Sequence, residues 1–490
     1  MSHHSGALSG MDKGFLIYES PETPMHVAAL LKFGSRDLAS GPEALDLDRL
    51  RTFISKRLDG IPRYRQRIEH RPLSEHPIWV DDDHFDIEYH LRHTALPHPG
   101  DSASLNRLIA RLIEQPLDLK RPLWEIWTIE GLDEGGFAML FKIHHCMVDG
   151  AGGMHLLFSL LSPSSEVESE SGSDWAARPP RSRLALLNEE FDERASRSLK
   201  VANLIGEAIF HPRQTLRRAR ASARDIGQAV GGALMPHSGS PLNGPLGRHR
   251  RIDRLTFTLE SVKSVGKATG STINDVMLAV VTGGLRKYLK QDEASSRKLS
   301  LRVCLPVNRR PETDNFERAN CVSALFADLP VGEADPLSCL SYIQDQTEVL
   351  KNSGAARGTE MLVEFNNLLS ADWLTRLGMQ AASSLEPFNL IVTNIRGPSA
   401  PLYLLGSRLS EIVPFVPLMP NQRLGIAIAS YCNQVTLGLS GDWEGVANLE
   451  ELRTYLDDAH DDLQAAISPP CSAAVSFRQN GISHEHSARP

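Results

Sequence analysis

Residues 141–153 read FKIHHCMVDGAGG: an apolar run ends in His144 and His145, and a cysteine, an acid and three glycines follow. Such residues can bind a metal, act as a base or simply pack. A metal would recruit His144, His145, Asp149 and His155. Adjacent residues of a strand point to opposite faces, however, so His144 and His145 are poorly placed to share one ion and no metal is expected. Packing accounts for one histidine but leaves the glycines and the acid without a purpose. A base needs a neutral imidazole within hydrogen-bond reach of a hydroxyl or amine, and a histidine ending a strand at a cleft meets that demand. His145 is therefore the candidate base, with His144 turned towards the protein as its support. Asp149, four residues on, either orients the imidazole or folds away to clamp the tight turn, and the glycines around it favour the clamp.

No GxSxG elbow occurs in the chain. Cys146 beside the histidines reads as a small buried residue, because a neighbour on an extended strand cannot orient it as a nucleophile. Direct attack of an activated acceptor on a thioester is the simpler chemistry. Charge then develops on a carbonyl oxygen, and a donor is wanted nearby. In GSTINDVMLAVVTGGLRKYL, Thr272 can cap a helix with Asp275 three residues later, which puts Asn274 in the first turn at the positive helix end. Asn274 is there either to meet an oxyanion or to serve as local capping.

The elements that must hold these residues follow from periodicity. HVAALLKF (His26–Phe33) reads as a strand and LDRLRTFISKRL (Leu47–Leu58) as a helix. A helical run from Asn106 stops at Pro116, and LWEIWTIE and GGFAMLFKIHH follow as strands. Gly150, Gly152 and Gly153 let the chain turn sharply into MHLLFSLL, a buried helix. Residues 161–180 are polar and poor in core formers, hence a linker. A helical stretch follows that carries Arg213, Arg217, Arg218, Arg220 and Arg224, and a glycine, serine and proline-rich break covers 231–247. From His249 strands recur at RIDRLTFTLE, LRVCLPV, FNLIVTNI, RLGIAIASYC and QVTLGLSGD, with helices around Asn274 and Tyr342. The expected division is 1–165, a linker and helical crossover over 166–247, 248–468, and a disordered tail over 469–490. EIVPFVPLMP (411–420) is either an internal connection between strands or a face turned to a tunnel or lipid surface.

At 490 residues the chain exceeds what one core serves, so two mixed α/β domains are expected. A net charge of −8 argues against a dedicated nucleic-acid binder. The N-terminal MSHHSGALSGMDKG lacks a basic then apolar pattern, and the six cysteines show no CxxC spacing; a cytoplasmic, reducing setting with free thiols fits.

Taken together, HHCMVDG, LSGMDKGFLIYE, WVDDDHFDIEYHLRHTALPHPG, RPLWE, TINDVMLAVVTGGLRKYL, LPVNRR and NIRGP resemble the bacterial wax ester synthase/diacylglycerol acyltransferase family. That family lies within the HHxxxDG acyltransferases built like chloramphenicol acetyltransferase and the peptide condensation domains, and the likeness spans roughly residues 8–465. It implies two chloramphenicol-acetyltransferase-like domains, a long crossover and a central tunnel. It also implies transfer of a long-chain acyl group from acyl-CoA to a long-chain alcohol or diacylglycerol, with no permanently bound cofactor; the hydrophobic product, together with the 411–420 stretch and the arginine run, suggests peripheral contact with a membrane or lipid droplet. His145 would be the general base, Asp149 would hold the loop and Gly150 would permit its turn. Asn274 would polarise the carbonyl or stabilise the oxyanion, Asp275 would support the helix start, and Pro122, Leu123 and Trp124 would wall the channel. Where the family has NVPGP this chain has NIRGP, so Arg396 replaces a proline while Asn394, Gly397 and Pro398 keep the turn. A condensation-type amide former, an acyltransferase for a small acceptor and a noncatalytic lipid-binding protein are the competing readings.

Overall fold

Ser9 opens the first helix with a reciprocal cap: its hydroxyl accepts from the Asp12 N–H at 3.1 Å, and its own N–H donates to the Asp12 carboxylate at 3.2 Å. The computed structural model describes residues 6–34, 46–73, 76–147, 157, 159–166, 175–179, 182–211, 240–289, 300–308, 322–352 and 387–468. In chain order the first part holds α1 (Gly10–Tyr18), β1 (His26–Phe33), α2 (Leu47–Leu58), a 3-10 turn at Pro62–Arg65, β2 (Gln66–His70) and β3 (Pro77–Asp81). Next come α3 (Ile87–His90), β4 (Leu91–Ala95), α4 (Ser102–Glu114), β5 (Trp124–Glu130), β6 (Phe137–His144) and the long helix α5 (Arg183–Phe210). The second part holds β7 (Arg250–Thr258), α6 (Leu259–Thr269), α7 (Ile273–Tyr288), β8 (Leu301–Asn308), β9 (Val322–Leu329) and α8 (Pro336–Asn352). It ends with β10 (Leu390–Arg396), β11 (Tyr403–Leu404), β12 (Ser407–Phe415), β13 (Leu424–Tyr431), β14 (Gln434–Asp442) and α9 (Leu449–Ile467).

These strands make two six-stranded mixed sheets, ordered β11-β12-β1-β6-β5-β4 and β7-β14-β13-β10-β8-β9, with β2 and β3 paired separately. In the first, only β4 and β5 run parallel; in the second, β10 lies parallel to both β13 and β8. Strand β6 is buried along its whole length, as its unbroken apolar run requires. Its odd positions, Phe137, Met139, Phe141 and Ile143, join one apolar cluster with Leu31, Leu50, Ile54 and Trp124. Ala138 and Leu140 face a second cluster with Leu105 and Ile109 of α4. The even register continues through Lys142 to His144, so the first motif histidine is committed to the α4 side before any site chemistry is considered.

Two sequence expectations change. Helix α4 starts at Ser102 rather than Asn106, because Asp101 caps it by accepting from the Ser104 N–H at 2.8 Å. The stretch EIVPF, placed by sequence within 248–468, is strand β12 and pairs antiparallel with β1 in the first sheet, Ala28 opposite Phe415 and Leu30 opposite Val413. Ile412, Val413, Phe415 and Leu418 are buried, so 411–420 is an internal strand and its continuation rather than a lipid-facing surface. The sheets approach closely here: a Cβ on Gly438 of β14 would stand 1.7 Å from the Pro414 carbonyl oxygen. Among the described residues no helix is long and apolar enough to cross a membrane. The arginine run, most of the 231–247 break and the 469–490 tail lie outside the described residues.

Candidate active site

Strand β6 ends at His144, and His145 occupies the turn that follows. Each backbone is tied to a different neighbour: the His144 N–H donates to the Leu123 carbonyl at 2.9 Å, and the His145 N–H to the Met25 carbonyl at 2.8 Å. The His144 ring is fully buried, and its Nδ1 accepts from the Cys146 N–H at 3.1 Å. Accepting there fixes the proton on Nε2, which faces a Glu19 carboxylate oxygen at 3.3 Å but off the line of a good hydrogen bond. The half-buried His145 ring instead stacks on Phe15, with centroids 3.9 Å apart and planes 14° from parallel. The two histidines thus have separate surroundings, as expected of neighbours leaving a strand.

Residues that sequence reasoning did not single out hold this corner together. Phe15 and Glu19 lie four apart, so a single element, α1 and its C-terminal cap, serves both histidines. Lys142 has none of its side chain exposed; it pairs with Glu125 at 3.2 Å and donates to the Leu112 and Gln115 carbonyls at the end of α4, at 3.1 and 3.0 Å. Burial lowers its pKa, and Glu125 works against that shift. His26, opposite His144 in the ladder, donates through Nε2 to the Ile113 carbonyl at 3.0 Å. Burial first, then the positive charge of Lys142, keeps His26 well below the ordinary histidine range. Arg63 lies with its guanidinium 4.5 Å from the Trp79 ring centre, and burial pulls it down to about 10, with Asp12 working against the shift. The LSGMDKGFLIYE match was the one sequence signal pointing at α1.

Cys146 packs with Leu8, Ile68, Trp79, Leu117 and Leu123. Burial pushes its thiol well above the usual range, Asp12 and Glu19 add to the shift, and Arg63 opposes it, so it is not a ready thiolate. The described cysteines Cys146, Cys304, Cys339 and Cys432 are free thiols. Asp82, Asp83 and His84 form a largely exposed group at metal-ligand spacing that contains neither motif histidine.

Pro122, Leu123 and Trp124, which the family resemblance implies as a channel wall, pack beside the histidine strand. All three are buried, Leu123 and Trp124 at 0% and 1% exposure. Leu123 supplies the carbonyl that holds His144; Trp124 donates through Nε1 to the Tyr64 carbonyl at 2.8 Å and stacks on His90 at 4.5 Å. They support the histidine strand from behind.

Asn274 and Asn394, far apart in sequence, meet directly: the Asn394 amide donates to the Asn274 carbonyl oxygen at 3.1 Å. With that oxygen engaged, the Asn274 amide keeps its N–H groups for an acceptor. Asp275 completes the expected capping box with Thr272 and also accepts from the buried Thr347 hydroxyl at 2.8 Å. Gly397 donates its N–H to the Ser430 carbonyl at 2.9 Å, and a Cβ there would lie 2.2 Å from that oxygen, so only glycine fits. The Pro398 carbonyl accepts from the Cys432 N–H at 2.9 Å. The contacts therefore gather His144, His145, Phe15 and Glu19 in one group and Asn274 with Asn394 in another. Asp149, Gly150 and His155 lie outside the described residues.

This mixed-sheet architecture is shared with solved structures. The first condensation domain of the calcium-dependent antibiotic synthetase superposes with a TM-score of 0.60 at 14% identity, covering 95% of this chain and 97% of that one, a likeness of fold alone. The wax ester synthase/diacylglycerol acyltransferase from Marinobacter aquaeolei VT8 matches with a TM-score of 0.65 at 25% identity, covering 94% of this chain and 99% of that one. A putative diacylglycerol O-acyltransferase of Mycobacterium tuberculosis is 31% identical over 95% of this chain and 98% of its own length. A probable diacylglycerol O-acyltransferase of the same organism is 32% identical over 92% and 94%. The sequence profile of the wax ester synthase/diacylglycerol acyltransferase catalytic domain matches residues 8–277, and that of the WS/DGAT C-terminal domain matches 319–464. The chain belongs to the wax ester synthase/diacylglycerol acyltransferase family and is an acyltransferase.

Proposed function

We propose that this enzyme moves a long-chain acyl group from acyl-CoA to the hydroxyl of a long-chain alcohol or a diacylglycerol, forming a wax ester or a triacylglycerol. The observation that carries the reading is the pair His144–His145, whose backbones are pinned by the Leu123 and Met25 carbonyls so that one ring is buried and the other is left half-exposed at the strand's end. His145 takes the acceptor's hydroxyl proton as the oxygen bonds to the thioester carbonyl carbon. The tetrahedral intermediate then collapses, its C–S bond breaks, and the imidazolium returns the proton to the CoA thiolate. Asn274 donates to the developing oxyanion, held in place by Asn394. Asp275 secures the helix start, Gly397 and Pro398 the neighbouring turn, Asp149 and Gly150 the loop after the histidines, and His144 the backbone course. No covalent acyl-enzyme and no resident cofactor enter the scheme; acyl-CoA is a co-substrate.

In this reading the two sheets are the centres of two chloramphenicol-acetyltransferase-like domains, 166–247 provides the crossover, and the histidine and asparagine groups face each other across a tunnel. Acyl-CoA enters from one side and the lipid acceptor from the other, at the surface of a cytoplasmic membrane or lipid inclusion approached by the arginine-bearing crossover. The test is product analysis: palmitoyl-CoA is supplied with hexadecanol or dipalmitoylglycerol, and lipids are identified by mass spectrometry. Palmityl palmitate or tripalmitoylglycerol is expected, and the ratio assigns the main product. Absence of both would overturn the lipid assignment in favour of a small acceptor or a binding role.

A further inference from the structure

Helix α1 lies more than a hundred residues before the motif histidines, yet it places an aromatic ring flat on one of them. The Phe15 and His145 rings are 3.9 Å apart and within 14° of parallel. Nothing about this contact is loose. The Ser9–Asp12 cap fixes the helix start, Asp12 and Gly14 are buried, and Phe15 packs against the cluster that contains Cys146, the residue following His145. One turn on, Glu19 faces His144.

A stack of this kind does two things that a general base requires. An imidazole turns freely about its Cβ–Cγ bond unless a neighbour selects one plane, and a flat ring 3.9 Å away selects it. When the imidazole becomes imidazolium, its positive charge lies over the electron-rich face of the phenyl ring, which favours it. We propose that Phe15 is a positioning residue of the acyl transfer: it fixes the plane of the His145 ring and favours the charged form that appears as the acceptor hydroxyl gives up its proton. The proposal rests on His145 being the base. The ionisable groups of this corner are Asp12 and Glu19 at the two ends of α1, Arg63 on the 3-10 turn, and Cys146 and His144 beside the base, with Asp12, Glu19 and Arg63 all acting electrostatically on Cys146.

The test compares wild type, Phe15→Leu, Phe15→Tyr and His145→Ala in acceptor-dependent CoA release across pH. Phe15→Leu is expected to lose about five- to tenfold in kcat with little change in KM for palmitoyl-CoA. Without the aromatic face the imidazolium is less favoured, so the acid limb of the rate profile should move about half a unit to lower pH. Phe15→Tyr keeps a ring and should restore both. An unchanged kcat and limb in Phe15→Leu overturns the proposal, as does a loss in Phe15→Leu that Phe15→Tyr fails to rescue. If Phe15→Leu does not fold, Phe15→Tyr decides alone: it must retain rate and limb. Histidine-labelled NMR, with the His145 signal identified by its loss in His145→Ala, reads the stack without activity; a resonance titrating identically with and without the phenyl ring also overturns it. Wild-type turnover in His145→Ala would instead sink the base assignment, an outcome visible without any Phe15 variant.

Discussion

In the proposed scheme His145 and Asn274 make different contributions, and their variants should fail differently. A missing base removes a proton acceptor, whereas a missing amide removes a donor to a charge present only in the transition state. Asn274→Ala is expected to lower kcat about a hundredfold with KM for acyl-CoA little changed. Asn394 donates to the Asn274 carbonyl oxygen at 3.1 Å, so in the proposed scheme it acts through Asn274. Asn394→Ala should therefore lose less, and the double variant should be no slower than Asn274→Ala alone; additive losses measured by steady-state kinetics would show that the two asparagines act separately. The same amide pair shows where sequence reasoning stops. Asn274 was legible because a capping box marks a helix start, but its partner lies 120 positions away and no local pattern joins them.

At the scale of elements, the buried strands and capped helices were readable and their mutual supports were not. Strand β6 announced itself as an apolar run, and its alternation put His144 and His145 in different surroundings. That Lys142 within that run is anchored by the end of α4 follows from packing alone. The strand β5 side carries a pH consequence. His90 stacks on Trp124 and donates from Nδ1 to the Trp124 carbonyl at 2.7 Å, while its Nε2 is buried with no hydrogen-bond partner among the described residues. Burial holds its pKa at about 4 against 6.5 for an unperturbed histidine, the Trp124 carbonyl pulling weakly the other way. On acidification the unfolded chain takes this proton first, so the contribution is intact above pH about 6.5 and is lost as the pH falls towards 4, about 3 kcal/mol in all. Urea unfolding at pH 7 and pH 4.5 should show the loss, and His90→Gln, which cannot titrate, should show a smaller difference between the two pH values.

For the whole molecule, the decisive feature is that the chain returns. Strand β12 leaves the second part to pair with β1, joining the first sheet some 380 residues after that sheet began. Arg250, at the start of β7, adds a second tie: its N–H donates to Glu114 at 2.6 Å, its guanidinium lies 3.6 Å from Asp442, and it reaches the Glu22 carbonyl. Sequence reasoning divided the chain at composition breaks and kept β12 with its neighbours, because strand pairing over such a distance leaves no mark on composition. Gly438→Ala would press a methyl group against the Pro414 carbonyl, and is expected to destabilise the fold by about 2–4 kcal/mol, read as a lower unfolding midpoint. An unchanged midpoint would mean that the sheets separate there at no cost.

The central claim is that His145 activates a lipid hydroxyl for direct attack on a CoA thioester. The measurement that addresses it is release of free CoA from palmitoyl-CoA by the purified protein with hexadecanol, with dipalmitoylglycerol and with no acceptor, beside His145→Ala. The expected result is release that depends on an acceptor and falls by about 10²–10⁴ in His145→Ala. Release that is independent of acceptor, or that survives the loss of His145 undiminished, would contradict it.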